Sequence, residues 1–411
     1  MAIDVLVFAI GFGLASVISY VYILFAGRTL AADQFGVLNT LLGLIAICGF
    51  FGSSLQTAVA QAAISSPTRH ALSTLIRQTA RVAIPGMALV IVLAAPFASG
   101  IGASKAQVAS SGIVALLIFL ASTSTGFVLG IGKVRTQAAI TLLCALLQLA
   151  TGYWLMTWGF GIFGALSGYL AAYIATFFLA YRVSWTSVDA SAAVDPSRTK
   201  SLNLGLRAST IATFVLAFCP LSLDQLFVQS FAPTLGGSYA ALTIMAKPVF
   251  FAAYPIIVVV YPHLVRRADS REHAGLFMVA TAGIVAVAMA IALLVAVFPA
   301  ELAALVFSDR YQEVVPYLGR SAFGIACFSV SVLAAHMLIA LRNPLGFLPS
   351  LLAVAAQAGL YAWRHDSLET LVSNQIGVYV LQLVLLIALL MVTLARTRVP
   401  SGAATGATIA R

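Results

Sequence analysis

The sequence of 411 residues contains little charge and few cysteines. Charged residues make up 8% of it, whereas hydrophobic residues make up 62% and the mean hydropathy is +1.05. Such a chain does not build a soluble core, because its apolar surface matches lipid and neighbouring helices. The four cysteines lie inside apolar segments without CxxC spacing and are typical of small packing residues: Cys48, Cys144, Cys219 and Cys327. They support neither a disulfide framework nor a metal site.

The few charges separate apolar blocks of roughly 20 residues, the length of a helix that crosses a bilayer. A transmembrane β-barrel is excluded, because segments such as residues 284–298 are apolar on every face instead of alternating. The sequence therefore predicts an all-α polytopic membrane protein. About twelve spans are expected, near residues 3–26, 36–63, 82–102, 108–130, 137–158, 163–181, 208–230, 237–262, 276–298, 316–340, 345–363 and 373–394.

The basic residues predict the orientation of these spans, because lysine and arginine accumulate in cytoplasmic loops. Five lie on one side: Arg28, Lys105, Arg310, Arg320 and Arg364. Sixteen lie on the other: Arg69, Arg77, Arg81, Lys133, Arg135, Arg182, Arg198, Lys200, Arg207, Arg266, Arg267, Arg271, Arg342, Arg396, Arg398 and Arg411. Both termini are therefore expected in the cytoplasm, and the formal charge of +10 is explained without nucleic acid. The first span, with Asp4 near its start, is expected to be a retained helix and not a cleaved signal.

The longest hydrophilic stretch predicts a division into two halves. We expect an N-terminal six-helix lobe at residues 1–182, a cytoplasmic linker at 183–206, a C-terminal six-helix lobe at 207–395 and a cytoplasmic tail at 396–411. A weak internal repeat supports this division, since LFAGRTLAADQFGVLNTL from Leu24 aligns with LFVQSFAPTLGGSYAALT from Leu226. Repeats of this kind are common in transporters with two lobes around a central cavity.

At these hairpins the sequence resembles the polysaccharide flippases of the multidrug/oligosaccharidyl-lipid/polysaccharide exporter superfamily. The matching segments are AGRTLAADQFGVLNTLLGL with SSLQTAVAQ, and LSLDQLFVQSFAPTLGGSYAALTIMAKP ending in YPHLVRR. The resemblance implies two lobes in a V shape that open alternately to cytoplasm and periplasm of a bacterial inner membrane. It also implies outward movement of an undecaprenyl-diphosphate-linked glycan without covalent chemistry, next to glycan polymerase or assembly proteins as further partners.

Two opposite charges lie inside predicted spans, where each costs several kcal/mol unless it is paired or hydrated. They are Asp224 and Lys247, on consecutive helices. One interpretation is a salt bridge between the helices, direct or through water; another is that Lys247 faces the cavity and meets the substrate diphosphate while Asp224 tunes it. A third is a coupling-cation site at Asp224, for which only Gln225 and Gln229 offer further oxygens nearby.

Other polar residues complete the candidate cavity lining. His336 lies deep in a span and could titrate near neutral pH, although a lone histidine in a helix is more often a packing residue. Arg28 and Arg320 lie near periplasmic helix ends, as headgroup anchors or at the cavity mouth. Neutral amides and aromatics could face sugars, or serve as interhelical hydrogen bonds and interface belts: Gln56, Gln61, Gln148, Gln357, Gln375, Gln382, Tyr20, Tyr22, Tyr153, Trp154, Trp158, Tyr239 and Tyr254.

Enzymatic motifs are missing from the sequence. The segment GFVLGIGKV lacks the glycine spacing and the final Ser or Thr of a phosphate-binding loop, and there is no HExxH. We therefore expect no ATP hydrolysis, no metal and no cofactor. A cation-coupled multidrug exporter of the same superfamily is the nearest alternative, although Asp224 is nearly the only acidic residue within the spans. A membrane-embedded glycan polymerase or ligase is a further alternative, which would need a larger outer loop.

Overall fold

A computed structural model describes residues 2–92, 94–188, 208–266 and 272–397. All regular structure within these ranges is helical, which confirms the all-α prediction. The α-helices are α1 Ala2–Thr29, α2 Ala32–Ser65, α3 Arg69–Val92, α4 Ala94–Ile101, α5 Lys105–Gly130, α6 Val134–Leu155, α7 Gly161–Ser187, α8 Ala208–Phe231, α9 Gly236–Ala246, α10 Pro248–Arg266, α11 Glu272–Val297, α12 Pro299–Phe307, α13 Leu318–Ala340, α14 Leu348–Trp363 and α15 Leu368–Thr397. Short 3-10 turns precede α9 and α13, at Pro233–Leu235 and Gln312–Tyr317.

Eight helical stretches within the described residues are long and apolar enough to cross a membrane, or nine when the bent pair α9–α10 is counted as one span. One stretch, Val134–Ser187, contains both α6 and α7, which pack on each other. The chain turns between them at a π-helical segment, where Gly159 has a φ of 87° that favours glycine. The shorter helix α14 is also apolar. Each of the twelve predicted spans falls on one or two of these helices.

The helices form two groups by their contacts. Helices α1–α7, the first group, pack mainly on one another, and so do α8–α15, the second group. The groups meet chiefly where α2 packs on α8 and α9. Helix α7 continues to Ser187, within the expected linker, and residues 189–207 lie outside the described ranges. The expected C-terminal tail also lies outside them beyond Thr397.

The hairpins that carry the internal repeat meet at their ends. Gly36 of α2 lies so close to the start of α9 that a Cβ there would be 2.8 Å from the carbonyl carbon of Gly236. The Nε2 atom of Gln225 donates to the carbonyl oxygens of Gly236, at 2.9 Å, and of Gly36, at 3.4 Å. One buried amide thus links both hairpins across the boundary between the helix groups.

Glutamines also satisfy backbone carbonyls around the proline in α8. Gln357 of α14 donates to Pro220 O at 2.9 Å, and Gln382 of α15 donates to Ala217 O at 3.0 Å. Proline disturbs the helical hydrogen bonds of the preceding turn, and both glutamine side chains are fully buried. These two amides are therefore interhelical hydrogen-bonding groups and do not face a cavity.

Candidate functional site

The candidate site lies at the break between α9 and α10. Lys247 follows the last residue of α9, and Pro248 begins α10. The two helical segments diverge by 43°. Proline has no backbone N–H, so the carbonyl of Ile244, four residues earlier, loses its helical partner. The break therefore follows directly from the dipeptide Lys247–Pro248 inside an apolar helix.

Lys247 lies at this break as a partly exposed cation. Its charge interacts with that of Asp224. In the part of the chain that the structure describes, however, no nitrogen–oxygen distance between the two side chains is 4.0 Å or less, so they form no direct ion pair. The described residues also provide no hydrogen-bond acceptor for its ammonium group, although its backbone N–H bonds to Thr243 O at 2.9 Å. A direct salt bridge between the two side chains is therefore not formed in this structure, although the Lys247 side chain is partly exposed.

Asp224 lies in the closed interior of the second helix group, with 1% of its surface exposed. Its Oδ1 accepts a hydrogen bond from the backbone N–H of Gln225 at 2.7 Å. Its Oδ2 accepts from the hydroxyls of Tyr239 and Tyr379, both at 3.3 Å, and from Nε2 of Gln375 at 3.4 Å. These donors favour a carboxylate, because a buried charge needs hydrogen bonds to remain stable.

The groups around Asp224 argue against a cation site there. A hard cation requires several converging acceptor oxygens, whereas this carboxylate is surrounded by O–H and N–H donors. Tyr239 is itself fully buried and bonds to the Tyr361 hydroxyl at 2.9 Å. The network ties α8, α9, α14 and α15 together, and Tyr239 does not face a cavity as a sugar-stacking residue would.

His336 lies within an aromatic cluster. Its Nδ1 is 2.7 Å from Val332 O, and its ring contacts those of Phe214, Phe218 and Tyr261 at centroid distances of 5.5, 6.3 and 5.4 Å. Phe218 in turn stacks on Phe50 of α2 at 4.2 Å, across the boundary between the helix groups. The described side chains hold no group of three metal ligands. The geometry is that of a packed, hydrogen-bonded histidine.

The remaining predicted site residues lie apart from Lys247. Gln56 is partly exposed and donates from Nε2 to Thr125 Oγ1 at 3.0 Å, which links α2 to α5 within the first group. Arg28 is exposed and donates from Nε to Val306 O at 2.6 Å and from Nη2 to Leu305 O. The structure thus brings Lys247, Asp224 and Gln225 into one region, but not Arg28, Gln56 or His336.

Two residues join the helix groups through hydrogen bonds that the sequence does not predict, although Tyr20 is among the aromatics that could face sugars. Arg310 donates from Nη1 to Arg28 O at 2.9 Å and to Leu30 O at 3.0 Å, and so joins the groups. Tyr20 of α1 donates its hydroxyl to Ile244 O at 3.0 Å, beside the break. A carbonyl freed by Pro248 was a signal that some donor had to lie near Ile244, but no pattern in the sequence identifies Tyr20 as that donor.

A cavity of about 590 Å³ lies at the ends of the hairpins. Both helix groups line it, and most of its lining side chains are amides, hydroxyls or a carboxylate. The lining residues are Asp33, Gln34, Val37, Gly102, Ser104, Gln107, Ile162, Gln229, Pro233 and Thr234. Lys247 is not among them, so this cavity is separate from the candidate site.

Comparison with known proteins identifies the fold. No protein-family model matches the sequence, and no curated protein matches it. The structure is similar to that of a multidrug resistance MATE family transporter of the MOP superfamily in an inward-facing conformation, with a TM-score of 0.68 and 14% identity over 92% of this chain and 94% of that one. An outward-facing structure of such a transporter gives a TM-score of 0.64 and a sequence identity of 16%. The match covers 96% of this chain and 95% of that one. The structure of MATE in complex with MaL6 gives a TM-score of 0.67 and a sequence identity of 14%, and the match covers 96% of each chain.

At these identities the similarity concerns the fold alone. The chain has the fold of the MATE transporters of the MOP superfamily, and it covers nearly their whole length. The fold alone therefore agrees with what the resemblance of the two hairpins implies. The polysaccharide flippase branch of that superfamily is not among the similar structures described above.

Proposed function

We propose that this protein is an alternating-access exporter and that Lys247 binds an anionic group of its substrate. Its fold is that of transporters with described inward-facing and outward-facing conformations. The observation that carries the proposal is that Lys247, at the break between α9 and α10, is partly exposed and forms no direct ion pair within the described residues. We further propose the inner membrane of a bacterium as its location, with both termini in the cytoplasm.

An unpaired cation within a membrane span is energetically unfavourable. A lysine at such a depth costs several kcal/mol, so it is retained where water or a ligand stabilises it. Asp224 already accepts four hydrogen bonds and forms no ion pair with Lys247 in the described structure. A diphosphate supplies several charged acceptor oxygens, each able to form a strong hydrogen bond with an ammonium. The first candidate substrate is therefore a lipid-linked diphosphate oligosaccharide, in line with the resemblance of the hairpins.

A second candidate function is cation-coupled multidrug export. The observation in its favour is that the similar structures come from multidrug resistance transporters, which fit this chain at least as well as a glycolipid flippase would. A cationic drug would require an accessible acidic residue within the spans. Asp224 is the acidic residue buried within the described helices, and its oxygens are occupied by donors.

Reconstituted transport distinguishes the two candidates. Purified protein in liposomes is tested with a fluorescent undecaprenyl-diphosphate oligosaccharide and, separately, with ethidium under an imposed sodium or proton gradient. Lys247→Gln is expected to slow glycolipid movement about tenfold or more, the effect of losing a charge-assisted hydrogen bond. Lys133→Gln is the matched control, because Lys133 is an exposed lysine between α5 and α6. Gradient-driven ethidium movement without glycolipid movement would replace the first candidate by the second.

A further inference from the structure

Tyr20 supplies the hydrogen bond that Pro248 cannot. In a regular helix the N–H of residue 248 would donate to Ile244 O, but proline has no such hydrogen. The Tyr20 hydroxyl donates to that carbonyl instead, at 3.0 Å. Lys247 lies three residues after Ile244 and directly before the proline, so this hydrogen bond lies at the turn that presents the ammonium.

This hydrogen bond also crosses between the helix groups. Tyr20 lies on α1 in the first group, whereas Ile244 lies on α9 in the second. It can therefore form only while α1 lies against α9. A rearrangement that separates the groups would remove it and leave the Ile244 carbonyl without a partner in an apolar surrounding, which is unfavourable.

The same helix contains a matched tyrosine with a different role. Tyr22 is fully buried and donates to Ala165 O at 2.5 Å. Ala165 belongs to α7, so this hydrogen bond stays within the first group. Tyr20 is only partly buried and lies near the boundary between the groups. The Tyr20 hydroxyl therefore forms a hydrogen bond between the two helix groups, whereas the Tyr22 hydroxyl forms one within the first group.

We infer that Tyr20 is a positioning residue that holds the break at Lys247 in its anion-binding geometry while α1 and α9 are in contact. The affinity of Lys247 for an anionic substrate then depends on the relative arrangement of the two helix groups. This inference rests on the proposed function, since it assigns a means of regulation to the same site. Its direct structural consequence, a change in the surroundings of residue 247 when the hydroxyl is removed, can be measured without any substrate.

Ligand binding is measured with the full chain in lipid nanodiscs, with farnesyl diphosphate as the anionic probe and farnesol as its neutral analogue. Tyr20→Phe is expected to weaken farnesyl diphosphate binding about fivefold, the effect of one hydrogen bond, and to leave farnesol binding unchanged. Tyr22→Phe is expected to lower the unfolding temperature and to leave both affinities within about twofold. An unchanged affinity in Tyr20→Phe, together with a loss in Lys247→Gln, overturns the role of Tyr20 but not that of Lys247.

A second measurement tests Tyr20 even if Lys247 binds no anion. The four native cysteines are replaced, Lys247→Cys is introduced, and its rate of labelling by a water-soluble maleimide is recorded. Adding Tyr20→Phe is expected to change this rate at least about threefold, since the turn loses a hydrogen bond, whereas adding Tyr22→Phe is not. Equal rates in all three backgrounds overturn the positioning role. Equal farnesyl diphosphate affinity in the wild type and Lys247→Gln overturns the proposed anion site alone.

Discussion

Arg28 and Arg310 each donate to backbone carbonyls at the end of a helix in the other helix group. Arg28, in the last turn of α1, donates to Leu305 and Val306 in the last turn of α12. Arg310, just after α12, donates to the carbonyls of Arg28 and Leu30 around the end of α1. Helix C-termini attract cations, because their last carbonyls are unpaired and the dipole is negative there. We call this pair the arginine clasp; it joins the first helix group to the second.

The arginine clasp should stabilise the arrangement in which the hairpin ends are closed. We predict that Arg310→Ala shifts the population towards an opened arrangement by about tenfold, because the hydrogen bonds of Arg310 are lost, and at an exposed site they contribute about 1.4 kcal/mol in total. The measurement is maleimide labelling of Thr40→Cys in a cysteine-free chain, since Thr40 is fully buried at the contact of α2 with α8.

Arg320→Ala is the control for that experiment. Arg320 pairs with Glu369 at 3.3 Å and donates to Ser373, so both of its partners lie in the second group. Its loss should leave the labelling of Thr40→Cys unchanged. Equal labelling in Arg310→Ala and Arg320→Ala would show that the clasp does not hold the groups together.

Asp224 should contribute to stability and not to cation binding. Asp224→Ala leaves the donors of Tyr239, Tyr379 and Gln375 without an acceptor in a buried site, and we predict a loss of about 2–4 kcal/mol in the free energy of unfolding. Asp33→Ala is the matched control because Asp33 is exposed, and its change should stay within about 0.5 kcal/mol. Chemical or thermal unfolding in detergent measures both.

The donor groups around Asp224 also predict an absence of sodium linkage. Replacing choline chloride by sodium chloride at equal ionic strength should not raise the unfolding temperature of the wild type. Ligand binding stabilises a folded protein by mass action, so a bound cation would raise that temperature. A rise that disappears in Asp224→Asn would support the coupling-cation interpretation and the multidrug candidate.

The glycine contact at the hairpin ends should not tolerate a side chain. A Cβ on Gly36 would be 2.6 Å from Gln229 Oε1 and 2.8 Å from the carbonyl carbon of Gly236. We predict that Gly36→Val separates the hairpins and increases the labelling of Thr40→Cys, because overpacking costs about 1–3 kcal/mol. Gly49→Val on the same helix is the control, since a Cβ there meets nothing within 4 Å. Normal transport and normal labelling in Gly36→Val would contradict the prediction.

The glutamine that supports α8 should matter for stability alone. Gln382→Leu leaves Ala217 O without its side-chain donor and Ser350 without its amide partner. We predict a loss of about 1–2 kcal/mol in the free energy of unfolding with an unchanged transport rate per folded molecule. Gln312→Leu serves as the control because Gln312 is exposed. A transport defect in Gln382→Leu that exceeds its loss of stability would place this amide on the substrate path.

The helices and the candidate cation could be predicted from the sequence because they depend on local patterns. Apolar blocks of membrane length predict spans, and a lysine followed by proline inside such a block predicts a break with an unusual charge. The partners of these groups could not be predicted. Tyr20 and Ile244 are 224 positions apart, and Arg28 and Leu305 are 277 apart, so their hydrogen bonds depend on how whole helices pack.

Asp224 illustrates the same limit. Its position in a span predicts that its charge must be compensated, and Lys247 is the opposite charge on the next predicted span. The structure compensates it with hydroxyl and amide donors from Tyr239, Gln375 and Tyr379. Two of those residues are about 150 positions away in the chain, where nothing distinguishes them from other polar residues in spans.

The bare backbone at Gly36, Gly236 and Gly237 has a mechanical consequence. Side chains that interlock must find the right rotamers each time they meet, whereas peptide groups have none to restore, and at this contact the side chains beside the glycines are the amides of Gln225 and Gln229. Surfaces of this kind can part and rejoin many times with little loss of conformational entropy at each closure, which suits a junction that would have to cycle once for every molecule carried.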